Sequence, residues 1–366
     1  VGYGVQKKSD VTGAMARVTS KVIEDRPVQN ALQAMQGRVT GVDITSNNRP
    51  GELGDIRIRG NRSLTADNNP LYVIDGIPMS AGSIADVNPS DIESMEILKD
   101  ASATAIYGSR GANGVILITT KRGNVEGLNV SVRANTGFHV AKAYPEYLGS
   151  AEYMTLYNEA LLNDDPTAKP LYTAEQIYNH GSGLNPYRYP NINYYSSDYV
   201  KKAYNRSEVT AEITGGGKRA RFYSNVSYYR NGDFLDFGEA KNNMTDRFNV
   251  RGNVDVDINS FISAYINANA TFYNSKSAKG DYWNAAATVR PNFPQNAAPL
   301  IPLDMIDPNA SAVWELLSTT SNIIDGKYFL SGSQANSTNA FADSYAAGSS
   351  KWTSRQFQRS EEHTSE

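Results

Sequence analysis

The chain has 366 residues, with 35 Lys and Arg against 38 Asp and Glu and no cysteine. A net charge of −3, with no basic run longer than Lys7-Lys8 or Lys121-Arg122, draws the chain toward neither nucleic acid nor an anionic membrane surface. The missing thiols exclude a disulfide scaffold and thiolate metal sites, and no apolar run reaches the ~18 residues of a spanning helix, so a membrane would be met by strands.

The first residues, VGYGVQKK, lack an initiator methionine and read as the interior of a longer chain. From residue 10 to residue 122 short helices and strands alternate, with many glycines, as in a small α+β domain. Pro27 opens a helix with Val28, Leu32 and Met35 on its apolar stripe, and Gly37 ends it. A strand follows at Val42 to Thr45, then a turn with Asn47, Asn48, Pro50 and Gly51. In DIRIRGNR, period two puts Ile56 and Ile58 on one face and Asp55, Arg57 and Arg59 on the other. PLYVIDGIPM, from Pro70, pairs a buried strand with the turn Asp75-Gly76. Next come a cap at Ser90, a strand near Met95 to Leu98, a short helix around Ala101 to Tyr107 and a strand from Val115 to Thr120. Gly108, Gly111 and Gly114 run from helix to strand, the reverse of the order that aims amides at phosphate.

After Gly123 the texture changes to long alternating runs: 128–140, 207–214, 219–230, 246–258 and 262–273. Val130, Val132, Phe138, Val209, Ile213, Phe222, Val226, Val250, Val254, Ile266 and Phe272 fall on the apolar sides. The charges Arg133, Glu208, Glu212, Arg221, Arg251, Asp255 and Asp257 all fall on the polar sides. That pattern suits a β-sandwich with its apolar face inward, or a membrane barrel with that face outward. Length favours the barrel: soluble strands cluster near ~5 to 6 residues, whereas a tilted crossing takes ~9 to 11. So do the connections, long over 141–206, tight at 215–218, intermediate over 231–245 and tight again at Asn259-Ser260. Phe138, Tyr228 and Phe272 are the expected girdle residues.

RPVQNALQAMQGRVTGVDI, DIRIRGNRSL, PLYVIDGIPM, NPSDIESMEILKDASATAIYGSRGANGVILITTKRG and PEYLGSAEYMTLYNEAL resemble, in this order, the plug domain and first outer loop of SusC/RagA-type TonB-linked outer-membrane transporters. The resemblance covers nearly the whole chain. It implies a plugged barrel of about 22 strands when complete, of which the first five or six are present here. It divides the chain into the tail of the TonB-box region (1–9), the plug (10–122) and the N-terminal part of the barrel (123–358). RSEEHTSE (359–366) breaks the strand pattern and resembles adapter-derived sequence rather than native protein.

The resemblance also gives roles to residues. Arg57 and Arg59 become a latch holding the plug to the polar inner wall, with Glu93 and Glu96, and Lys99 beside them, in the same contact; the alternative is a solvated edge strand. Asn68 and Asn69 at a plug apex, with Tyr187, Tyr189, Tyr194, Tyr195 and Trp283 in outer loops, become candidate substrate contacts; the alternative is that the aromatics order the loops.

No residue set reads as catalytic, cofactor-binding or metal-binding. His139, His180 and His363 have no zinc-spaced partners, DVDIN lacks the glycine and glutamate of a calcium loop, and Asp164-Asp165 reads as a turn. The expected activity is non-enzymatic: import of an oligosaccharide, less often a peptide, across the outer membrane. TonB and its inner-membrane energising complex would drive it and a SusD-like surface lipoprotein would cap the barrel. A siderophore or cobalamin receptor is the alternative within the same architecture, and a soluble secreted carbohydrate-binding β-protein the alternative outside it.

Overall fold

The computed structural model describes most of residues 15–278 and the segment 349–365. Residues 1–14, 25–29, 46–53, 80–86, 101–103, 279–299 and most of 306–348 lie outside the described residues, as do Tyr187, Tyr194, Tyr195 and some other loop positions.

The plug comprises β1 (Met15–Thr19), α1 (Ser20–Glu24), α2 (Ala31–Met35), β2 (Val42–Thr45), β3 (Asp55–Ile58), β4 (Leu71–Ile74), β5 (Ile77–Met79), β6 (Ile92–Leu98) and β7 (Val115–Thr120). Its main sheet has the order β1-β6-β7-β4-β5, with β4 and β7 parallel, and β2 pairs β3 beside it. Ile56 and Ile58 are 1% and 2% exposed and pack with Leu32, Met35, Ile92, Met95, Ile97, Ile116 and Ile118, so the isoleucine face of DIRI lies in the core. Burying each such side chain contributes about 1.5–3 kcal/mol. Gly114 sits at φ +94°, where a Cβ would lie 2.7 Å from Ile58 Cδ1, so that glycine serves close packing.

One local reading is corrected. The cap expected at Ser90 is Asn88, whose side chain accepts from the Ser90 N–H at 3.2 Å and opens a 3₁₀ turn at Pro89–Asp91. Of the helix expected around Ala101 to Tyr107, residues 101–103 lie outside the described residues, Thr104 is helical with its N–H donating to the Asp100 carbonyl at 3.1 Å, and a 3₁₀ segment interrupted by the non-helical Gly108 follows at Ala105–Gly111.

The second body is a six-stranded antiparallel sheet, ordered β16-β12-β11-β10-β9-β8. It comprises β8 (Asn129–Val140), β9 (Ala203–Gly216), β10 (Ala220–Asn231), β11 (Met244–Asp257), β12 (Ile262–Ala278) and, after the short β13 (Leu300–Pro302), β14 (Ile323–Ile324) and β15 (Tyr328–Leu330), β16 (Ser349–Ser365). Tight connections follow β9 and β11. Long ones follow β8 and β12, the former carrying α3 (Ser150–Asp164) and α4 (Ala174–Ser182).

This sheet is inside out by the standard of soluble proteins. Asn225, Asn249 and Asn253 are at most 1% exposed, Arg247 3% and Arg251 6%, whereas Val209, Val226, Phe248, Val254 and Ile266 are 40–50% exposed. The polar face lies against the plug and the apolar face is open, as a lipid-facing wall requires and a sandwich forbids. Tyr228 pairs with Phe248, and Phe248 with Phe272, so these rings form a row across three strands near the long connections. β16 pairs with β12 through Ser365, and its Arg359 takes an outward register position opposite Ala268. That breaks the charge-free rule kept by the middle of the other strands, in the segment that the sequence pattern set apart.

Candidate functional site

The site is the contact between plug and wall, built from three plug segments: the β4–β5 turn, the 3₁₀ turn before β6, and the residues after β7. In the first, Asp75 (φ 48°) and Gly76 (φ 86°) form the tight turn that only such residues adopt readily. Asp75 accepts from the Thr120 N–H at 2.9 Å and the Thr120 hydroxyl at 2.6 Å. Arg251 of β11 then donates to Asp75 at 2.9 Å and also to the Thr120 hydroxyl. The Arg251 and Asp75 side chains are 7% and 9% exposed, so this is a buried ion pair between the two bodies.

Asp91 ends the 3₁₀ turn and is 3% exposed. Its carboxyl accepts from Asn249 Nδ2 at 2.6 Å, from Tyr223 Oη at 3.3 Å and from Asn225 Nδ2, all wall groups. Burial pushes its pKa above the ordinary carboxylate value, while Arg251 and these hydrogen bonds pull against that rise. Beside it, Asn88 donates to Ser227 Oγ at 2.7 Å.

The third segment leads into the wall. Lys121 lies 3.0 Å from Glu212, which also accepts from Arg133 at 2.5 Å. Arg122 lies 2.8 Å from Asp255, with its guanidinium 4.6 Å from the centre of the Tyr265 ring. Asn253 donates to the Lys121 carbonyl at 2.7 Å. Gly123 then passes so close to β10 that a Cβ would lie 2.4 Å from the Phe222 nitrogen.

The candidates chosen from sequence lie elsewhere. Arg57 donates to Asn69 Oδ1 at 2.9 Å and Asn61 Oδ1 at 3.1 Å, and Arg59 pairs with Asp100 at 2.5 Å; these partners belong to the plug. Glu93 is exposed, Glu96 lies 3.6 Å from Arg17, and Lys99 donates to the Thr40 carbonyl. Asn68 brackets Ser63, accepting at 3.0 Å and donating at 2.8 Å. Tyr189 packs edge-on against the buried His180, with ring centres 5.5 Å apart. Tyr187, Tyr194, Tyr195 and Trp283 lie outside the described residues. Asp165 accepts from both the amide and the hydroxyl of Thr167, a turn, and no group of His, Asp and Glu among the described residues could hold a metal.

The wall half of the site was visible as interior charges on polar strand faces: Glu212, Arg251 and Asp255. The plug half was missed. Asp75 read only as a turn residue, and Lys121-Arg122 only as a short basic pair.

Residues 7–115 match the TonB-dependent Receptor Plug Domain family. TonB-dependent receptor P26 of Formosa agariphila is 33% identical over 298 residues, 79% of this chain and 28% of that protein. TonB-dependent receptor SusC of Bacteroides thetaiotaomicron is 41% identical over 168 residues, 43% of this chain and 17% of that protein. Among solved structures, the RagAB peptide importer in its open-open state has a TM-score of 0.60 at 27% identity, covering 77% of this chain and 32% of the other. The chain thus spans less than a third of the length of these relatives. Plug, inverted wall and relatives together identify it as part of a TonB-dependent receptor of the SusC/RagA type, an outer-membrane protein.

Proposed function

We propose that the protein imports a large nutrient, an oligosaccharide before a peptide, across the outer membrane. TonB and its inner-membrane energising complex drive the step, and a SusD-like surface lipoprotein works with the barrel. The observation that carries this reading is the polar character of the plug-to-wall contact. The plug's described apolar clusters contain plug residues alone, whereas its contact with the wall runs through ion pairs and amides. Such a joint loses its partners to water when it opens and regains them when it closes, unlike an apolar core. It suits a seal that must be both tight and releasable.

The family resemblance supports oligosaccharide, and the likeness to the RagAB peptide importer supports peptide as second choice. Asn68, Asn69 and Tyr189 stay proposed substrate contacts. Arg57, Arg59, Glu93 and Glu96 stay proposed latch residues toward wall beyond these six strands.

The test is growth of a strain lacking the gene, complemented with the full-length protein, on defined oligosaccharides or peptides as sole carbon source, with and without TonB. TonB-dependent growth supports the reading. Uptake that persists without TonB, or rescue only by ferric siderophores under iron limitation, refutes it.

A further inference from the structure

The outward face of the wall changes character along its length. From β8 to β12 its middle register positions carry no charge, and at and beyond the row Tyr228–Phe248–Phe272 cations collect. Register places Arg230 beside Asp246 and Lys276 beside Lys351, with Arg355 opposite Phe272. Arg230 is 52% exposed, and Lys351 and Arg355 are exposed. Among the described residues the carboxylate at these register positions is Asp246, 3.8 Å from Arg230 and accepting from the Tyr228 hydroxyl at 2.8 Å, beside four cations. The four are scattered in sequence, which is why no basic run announces them.

Their depth is set by the strand rise of ~3.3 Å per residue: Arg230 lies roughly 7 Å beyond the aromatic row and Lys276 roughly 13 Å beyond it. Four strands at ~4.8 Å spacing make the patch about 14 Å wide. Aromatic rings mark the boundary between hydrocarbon and headgroups, so these cations stand at headgroup level. The rings continue onto β16, where Phe357 lies 5.7 Å from Phe272 and is 72% exposed. All of this lies on the side of the long connections, which in outer-membrane barrels faces outward.

We propose that this patch binds the phosphate groups of anionic glycolipid in the outer leaflet, which fixes the height and rotation of the wall in the membrane. The inference rests on the outer-membrane placement and on none of the transport reading. Clustered ammonium and guanidinium groups recognise phosphate by charge, and arginine adds paired N–H donors. Each cation strengthens binding to an anionic leaflet roughly fivefold.

The test uses the full-length protein in detergent, with bisphosphorylated lipid A and its dephosphorylated form as probes and bound lipid counted by native mass spectrometry. The expected result is at least a tenfold preference for the phosphorylated lipid, lost when Arg230, Lys276, Lys351 and Arg355 are all changed to Gln. It is retained when the turn residues Lys218 and Arg219 are changed to Gln instead. Heat-modified gel mobility confirms that both variants fold, and a variant that fails this check is replaced by the Arg230→Gln/Arg355→Gln pair. Equal binding of the two lipids, unchanged binding by the folded variant, or competition by millimolar inorganic phosphate overturns the proposal. Lipid binding is read without transport, so a failed growth experiment leaves it standing.

Discussion

Arg251 of the wall and Asp75 of the plug meet at 2.9 Å, 176 residues apart in sequence and each less than a tenth exposed. Neither charge has bulk water to fall back on, so the pair couples the seating of the plug to the integrity of both partners. Replacing one partner leaves the other buried and uncompensated. Arg251→Met or Asp75→Asn is expected to cost about 3–5 kcal/mol, and the double variant much less than the sum of the two. Urea unfolding of the full-length protein in vesicles measures both; additive costs would show that the two residues act separately.

Asp91 gives the same joint a pH dependence. Its docked pKa is raised, by burial above all, over the ordinary value of 3.8. The docked plug therefore binds more protons than the undocked plug at pH values between the two pKa values. The contribution is fully present below the ordinary value and is lost as pH rises through the raised one. Asp91→Asn holds the site neutral, so the difference in urea midpoint between wild type and variant should change with pH across that window, wild type weakening relative to the variant as pH rises. A difference independent of pH contradicts this account.

Gly123 threads the linker against the β10 backbone, where a Cβ would lie 2.4 Å from one Phe222 backbone atom and 2.7 Å from another. Backbone cannot swing aside as a side chain does, so Gly123→Ala should cost about 1–3 kcal/mol. Gly217→Ala, where nothing lies within 4 Å, should change stability by less than about 0.5 kcal/mol. Thermal midpoints from heat-modified gel mobility compare them. Equal shifts would mean that the close approach is not maintained in solution.

Val226 and Val250 face each other on the outward side of β10 and β11. If that side meets hydrocarbon, Val226→Lys, two residues inside the aromatic row, costs about 1–3 kcal/mol, between the interface and mid-bilayer values. If it meets water, the change falls within about 0.5 kcal/mol, as for most exposed positions. Urea titration of the variant in vesicles separates the two values.

How much of this was legible in the sequence follows from the range of each interaction. The inverted wall was, because period two is local: one run of Val, Phe and Ile against Arg, Glu and Asp fixes both faces of a strand. The burial of Ile56 and Ile58 followed from the same rule. The plug-to-wall pairs were not, since Asp91 meets Asn249 across 158 residues and no local pattern encodes that distance. Arg57 and Arg59 stand out in a short strand, yet other plug residues, Asn61, Asn69 and Asp100, hold them. Asn88 rather than Ser90 caps the turn because Pro89 occupies its first position. The helices α3 and α4 were read only as an outer loop; most α3 side chains are exposed, so it shows only a faint apolar stripe.

What touches the outward side chains of the wall decides the whole account. The chain has no cysteine, so a spin label placed on single cysteines at Val226, Phe248 and Ile266, and at Ser224 for comparison of depth, needs no background removal within it. In full-length protein reconstituted in vesicles, collision with oxygen should exceed collision with a water-soluble nickel chelate at these outward sites, more strongly at Val226 and Ser224 than at Phe248 in the aromatic row. Labels that meet the nickel chelate as freely as those on the exposed loop residue Lys169 would place the apolar face in water, and the membrane wall would not exist.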